Sequence, residues 1–140
     1  MSTSVPEPES RRLAIAAFAR DTLGCGCPAE VFAQIQESQL DLPGLPDPGR
    51  RFAIGGRLLV YQVAPADPEA ALAQLAAWVA MGRAERDARG MNRLRLAIAA
   101  DDPEAFAQRL QPCFDALPGL DGRLHLHVLP AGALAGLNRT

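Results

Sequence analysis

Arg57-Leu-Leu-Val-Tyr-Gln-Val63 runs into Ala66-Asp-Pro-Glu-Ala70, and Arg95-Leu-Ala-Ile-Ala99 runs into Asp101-Asp-Pro-Glu-Ala105. These two passages decide the fold. Each is an apolar run ending in a tight turn, and the turn carries the chemistry of a helix start. An Asp side chain accepts a hydrogen bond from the first orphaned amides, Pro fits the first helical position, and Glu sits near the positive end of the dipole. The Asp-Pro-Glu-Ala match recurs at an offset of 35 residues. A shared capping solution explains the echo without internal duplication. Leu72, Leu75, Ala76 and Val79 then follow the helical i, i+3, i+4, i+7 stripe, and Gly90 stops that helix. A second helix starts at Asp102-Pro103, meets Pro112, where a kink is expected, and ends at Pro118-Gly119. Arg123 to Leu129 reads as the last strand.

The order is therefore β-α-β-α-β, which implies three mainly parallel strands joined by right-handed crossovers. Residues 33–54 are expected to add an antiparallel edge strand. Gly55-Gly56 is read as a bulge or tight kink inside one long strand that starts near Arg51. Leu42 to Gly49 is a proline-rich loop. Upstream, Ser10 to Thr22 reads as a helix capped by Ser10, with Leu13, Ile15, Ala16, Ala17, Phe18 and Ala19 leaving little polar face. The expected class is α/β: a small mixed sheet with a parallel β-α-β-α-β core, an antiparallel edge strand and an N-terminal helix. Residues 1–9 are expected to be a disordered tail, 10–130 a single domain, and 131–140 a C-terminal tail.

Composition narrows the chemistry. All 14 basic residues are Arg, so a Walker-type phosphate loop, a Schiff-base lysine and a lysine base have no residue to use. After Ser10 only Ser38 remains, outside any G-x-S-x-G, which argues against a serine hydrolase. A net charge of −2 and 5% aromatic residues give no footprint for nucleic acid or an anionic membrane. No apolar run approaches a membrane span, and the first ten residues lack the layout of a secretory signal. Three cysteines without such a signal point to reduced thiols and a cytoplasmic location.

Cys25-Gly26-Cys27-Pro28 is the most specific chemical feature. Pro28 at the first helical position, Cys27 at the cap and Glu30 three residues on reproduce a capping-box layout, with Cys in place of Ser. Thiols at a helix N-terminus are favoured as thiolates, so Cys25 and Cys27 are candidates for holding zinc, iron or an iron–sulfur centre, or for cycling between dithiol and disulfide. The bland alternative is that one caps the helix and the other packs. His125 and His127 alternate on a strand, so both rings share a face, and Cys113 on the preceding helix is a candidate to join them as a further metal ligand. Arg83, Arg86, Arg89, Arg93 and Arg95 gather around a helix end and the next strand. They read first as partners of the helix dipole and of Glu85 and Asp87, and second as an anion-binding patch. Tyr61 and Trp78 carry no signal beyond packing.

Thr22-Leu-Gly-Cys-Gly-Cys-Pro-Ala-Glu-Val-Phe32, together with Arg83 to Arg95, resembles segments of a group of small bacterial proteins of unknown activity. The resemblance implies a role for the Cys loop and names no substrate. A thioredoxin is a poor match, because its C-x-x-C follows a strand whereas this C-x-C links two helices. The functional expectation is a small accessory factor using the Cys loop for metal or thiol chemistry. The alternative is a structural or protein-interaction module with inert cysteines. A homodimer is expected from the apolar first helix and the nearly uncharged stretch 129–137, and Phe18 is taken as the residue that would place that helix at the interface.

Overall fold

A computed structural model describes residues 8–22, 34–120 and 122–130. Helix α1 (Pro8–Ala17) continues into a π-helical turn (Phe18–Thr22), and strands β1 (Ile35–Leu40), β2 (Gly49–Ile54) and β3 (Leu58–Val63) follow. Helix α2 (Pro68–Ala88), strand β4 (Arg93–Ala100), helix α3 (Pro103–Asp115) and strand β5 (Leu124–Pro130) complete the order. The strands form one sheet in the order β1-β2-β3-β4-β5. Pairings β1–β2 and β2–β3 are antiparallel, and β3–β4 and β4–β5 are parallel. The fold is the expected mixed α/β sheet.

Both helix starts behave as their residues dictate. Asp67 sits in extended backbone and its Oδ1 accepts from Ala70 N at 2.8 Å; Asp102 does the same for Ala105 N at 3.3 Å. Helix α2 ends in a Schellman arrangement. Met91 N donates to Arg86 O (2.9 Å) and Gly90 N to Asp87 O (3.1 Å), with Gly90 at φ +67. Helix α3 passes through Pro112 and runs on to Asp115.

Side chains alternate across the sheet and define two cores. On one face, Leu59, Tyr61, Val63, Leu94, Leu96, Ile98 and Leu124 meet Leu75, Trp78 and Val79 of α2 and Phe106, Leu110 and Phe114 of α3. Trp78 Nε1 also donates to Pro43 O (2.8 Å), which ties the proline-rich loop to this core. On the opposite face, Phe52, Ile54, Leu58, Val60 and Ala97 meet Ile15, Ala16, Phe18 and Ala19. The first helix thus finds its partner within its own chain. Phe18 is buried against the sheet, so it is a core residue of its own chain and not the expected interface residue, whereas Leu13 on α1 is 55% accessible.

Two local expectations are corrected. Gly55 and Gly56 form a hairpin turn rather than a bulge. Both have positive φ (+60 and +67), Arg57 N donates to Ile54 O at 3.0 Å, and Ile54 pairs with Leu58 across the turn. Six residues of β2 precede it, because the strand begins at Gly49 within the proline-rich stretch, and two antiparallel strands stand where one was expected. Gly49 itself faces Gln62 O so closely that a Cβ would collide with it. Ser10 lies inside α1 instead of capping it, because Pro8, with its φ preset for a first helical turn, starts the helix two residues earlier.

Candidate anion-binding face

On β4 the apolar positions Leu94, Leu96 and Ile98 face α2 and α3, so Arg93, Arg95, Ala97 and Ala99 face the side that carries α1. On β5 Leu124, Leu126 and Val128 pack on the helix side, which puts His125, His127 and Leu129 on the other. Parallel pairing sets Arg95 beside His125 and Ala97 beside His127. Each arginine reaches one step up the neighbouring strand. Arg93 Nη1 lies 3.0 Å from His125 Nε2, and Arg95 Nη1 lies 2.9 Å from His127 Nε2.

These two contacts fix the chemistry of the rings. A guanidinium has only donors, so each Nε2 must accept and each ring proton resides on Nδ1. Burial, then the charge of Arg95, then His125 push the His127 pKa down to about 4, so that ring is neutral at neutral pH. Arg95, 9% accessible, is held below the ordinary arginine value by burial and by the like charge of Arg93. Outside these two contacts Arg93 and His127 bring further N–H donors to this face. Arg123, just before β5, donates from Nη1 to Asn92 Oδ1 at 3.4 Å and brings a third guanidinium to this end of the sheet. Glu37, on the same face but at the far edge in β1, is engaged by Arg50 at 2.7 Å.

The other arginines of the cluster part company with Arg93 and Arg95. Arg83 Nη1 donates to Gly119 O (2.6 Å), and Arg86, nearly inaccessible, pairs with Asp87 at 3.0 Å. Arg89 Nε meets Glu85 Oε2 at 3.0 Å. Glu85 Oε1 also accepts from Arg51 Nε (2.9 Å) and from the hydroxyl of Tyr61, whose phenol is raised above its usual pKa by burial and by that carboxylate. Sequence reading assigned Tyr61 to packing alone. β3, apolar on both faces and buried at all six positions, gives no sign that a carboxylate 24 residues away takes this hydroxyl.

Cys25 and Cys27 lie outside the described residues. Cys113 is exposed on α3, on the helix side of the sheet, whereas His125 and His127 are on the α1 side. The sheet itself separates that thiol from the imidazoles. Among the described residues no group of three or more His, Cys, Asp or Glu side chains is placed to hold a metal ion, and no helix is long and apolar enough to cross a membrane. Comparison with known proteins gives no matching family model and no matching curated protein.

Proposed function

We propose that this chain is a small accessory binding protein whose working surface is the Arg93, Arg95, His125 and His127 face, and that this face takes a phosphate-type oxyanion. The observation that supports it is the pair of adjacent guanidinium–imidazole contacts at 3.0 and 2.9 Å. Setting cation beside cation or beside neutral imidazole in a half-buried place costs free energy. An oxyanion arriving there offsets that cost with charge-assisted hydrogen bonds from the Arg93 guanidinium and the Nδ1–H of His127, in the positive field of Arg95. A tetrahedral dianion matches two fixed charges and donors on two parallel strands.

Calorimetric titration with inorganic phosphate in a chloride buffer tests the reading. Saturable binding is expected, weakened about tenfold or more by Arg93→Gln with Arg95→Gln. Heats that do not saturate, or that the double variant leaves unchanged, refute it.

A second reading rests on the sequence of Cys25-Gly26-Cys27-Pro28: a metal-binding or redox dithiol in a cytoplasmic protein. Stoichiometric metal in protein purified without oxygen or chelator, lost in Cys25→Ser/Cys27→Ser, is its expected signature. Self-association as a homodimer, or docking of another protein, accords with an accessory role.

A further inference from the structure

On the opposite face, where the β2–β3 hairpin turn meets the C-terminal end of α2, a depression of about 330 Å³ is lined by Gln34, Gln36, Ala53, Gly56, Arg89 and Met91. Gln36 and Ala53 are cross-strand partners in β1 and β2, and the hairpin is tied to the start of β1 by Gly55 N donating to Gln34 O at 2.7 Å. Ala53 and Met91 are buried and form an apolar floor. Gln34 and Gln36 are exposed and bring two carboxamides, each able to donate and to accept.

Arg89 is the organised element of this wall. Its Nε is held by Glu85 Oε2 at 3.0 Å. Glu85 is itself fixed by the hydroxyl of buried Tyr61 and by Arg51 Nε. That contact is made at Nε, and the Arg89 side chain is 42% exposed. The guanidinium is thus anchored on one edge and offers its two-nitrogen fork on the other, which is the geometry that binds a carboxylate in bidentate fashion. Charge sets the valence of the guest. Two guanidinium groups, Arg51 and Arg89, share one carboxylate, Glu85, and leave a single positive charge at this wall. The partial negative charge at the end of α2 disfavours a dianion there.

We propose that this depression is a second binding site, independent of the Arg–His face, and that it takes a small organic monocarboxylate. Arg89 grips the carboxylate, Gln34 and Gln36 read an amide or hydroxyl group on the same molecule, and Ala53 and Met91 cover its short apolar body. The size fits the lower end of ordinary small-molecule pockets, roughly 300–1,000 Å³.

Proton–nitrogen correlation NMR on the full chain tests it, with N-acetylglycine as the probe. N-acetylglycinamide, which lacks the charge, and inorganic phosphate serve as comparators. N-acetylglycine is expected to shift the Arg89 Nε–H and the Gln34 and Gln36 carboxamide signals saturably. The uncharged amide leaves them in place, and phosphate moves His125 and His127 instead. Arg89→Lys, which keeps the charge and loses the fork, is expected to weaken binding about fivefold or more. Gln36→Ala, at an exposed position that leaves the fold intact, is expected to weaken it less. A linear response to N-acetylglycine, equal shifts from the uncharged amide, stronger binding of phosphate at Arg89, or indifference to Arg89→Lys in a chain with a native-like spectrum would each overturn the proposal.

Discussion

His127 makes the acid stability of this fold a direct test of the Arg–His face. Its ring is pushed down from 6.5 to about 4 by burial, by Arg95 and by His125. The unfolded chain therefore binds one proton more than the native chain between those two values, and native stability falls as the pH drops through that window. Above pH 6.5 both states carry a neutral ring and nothing is lost; below about 4 both are protonated and the loss is complete. At about 1.36 kcal/mol per pH unit the shift sets an upper bound of about 3 kcal/mol, and solvent screening of this half-buried ring brings the expected loss to about 1–2 kcal/mol. The assay is urea unfolding at a series of pH values, for the native chain and for His127→Gln, which keeps an acceptor for Arg95 but cannot titrate. The two stability curves should run parallel above pH 6.5 and diverge below it, with the native chain falling faster. Curves that stay parallel down to about pH 4 would show that His127 is solvated and unburdened by Arg95, and the anion-binding reading would lose its structural basis.

One further outcome follows from the packing, and one tests the proposed self-association. Gly82→Ala puts a Cβ 2.6 Å from Leu94 Cδ2 and 3.1 Å from Tyr61 Cε2, so it should lower stability by about 1 kcal/mol after the better helix propensity of Ala is counted; an alanine variant as stable as the native chain in urea contradicts the close seating of α2 on β3 and β4. For self-association, sedimentation equilibrium should give a mass above 14.9 kDa that rises with concentration and that Leu13→Glu, at the exposed apolar position of α1, reduces; a concentration-independent 14.9 kDa ends the dimer.

The parallel half of the fold was legible because its signals are local. Asp67-Pro68-Glu69 and Asp102-Pro103-Glu104 each settle a helix start within four residues, and the structure reproduces both caps. The antiparallel half was harder to read because its decisive facts are pairings. Gly49 looks like one more turn glycine after Pro43, Pro46 and Pro48. It belongs to a strand because its lack of a side chain lets Gln62 O come close, a contact made across 13 residues. Gly55-Gly56 was ambiguous in the same way. Two glycines permit a bulge or a hairpin turn, and only the six residues of β2 behind them choose the turn.

The residues of the Arg–His face are legible in the sequence from strand alternation and not from proximity along the chain. Grouping Arg83, Arg86, Arg89, Arg93 and Arg95 by proximity in the chain mixed two surfaces, because the first three belong to α2 or its cap and the last two to the opposite face of a strand. Strand periodicity separates them. Leu94, Leu96 and Ile98 must be buried under helices, as must Leu124, Leu126 and Val128, so the odd positions 93, 95, 125 and 127 are forced to the other side together. Once β4 and β5 are taken as parallel neighbours, two arginines and two histidines come together on one face. What remained out of reach was the register. A slip of one step along β5 would leave the same residues on the same face and trade the 2.9 Å contact of Arg95 with His127 for other partners. The guanidinium–imidazole contacts on which the proposed anion site rests therefore come from the β4–β5 register, and the alternation alone supplies only the residues from which they are made.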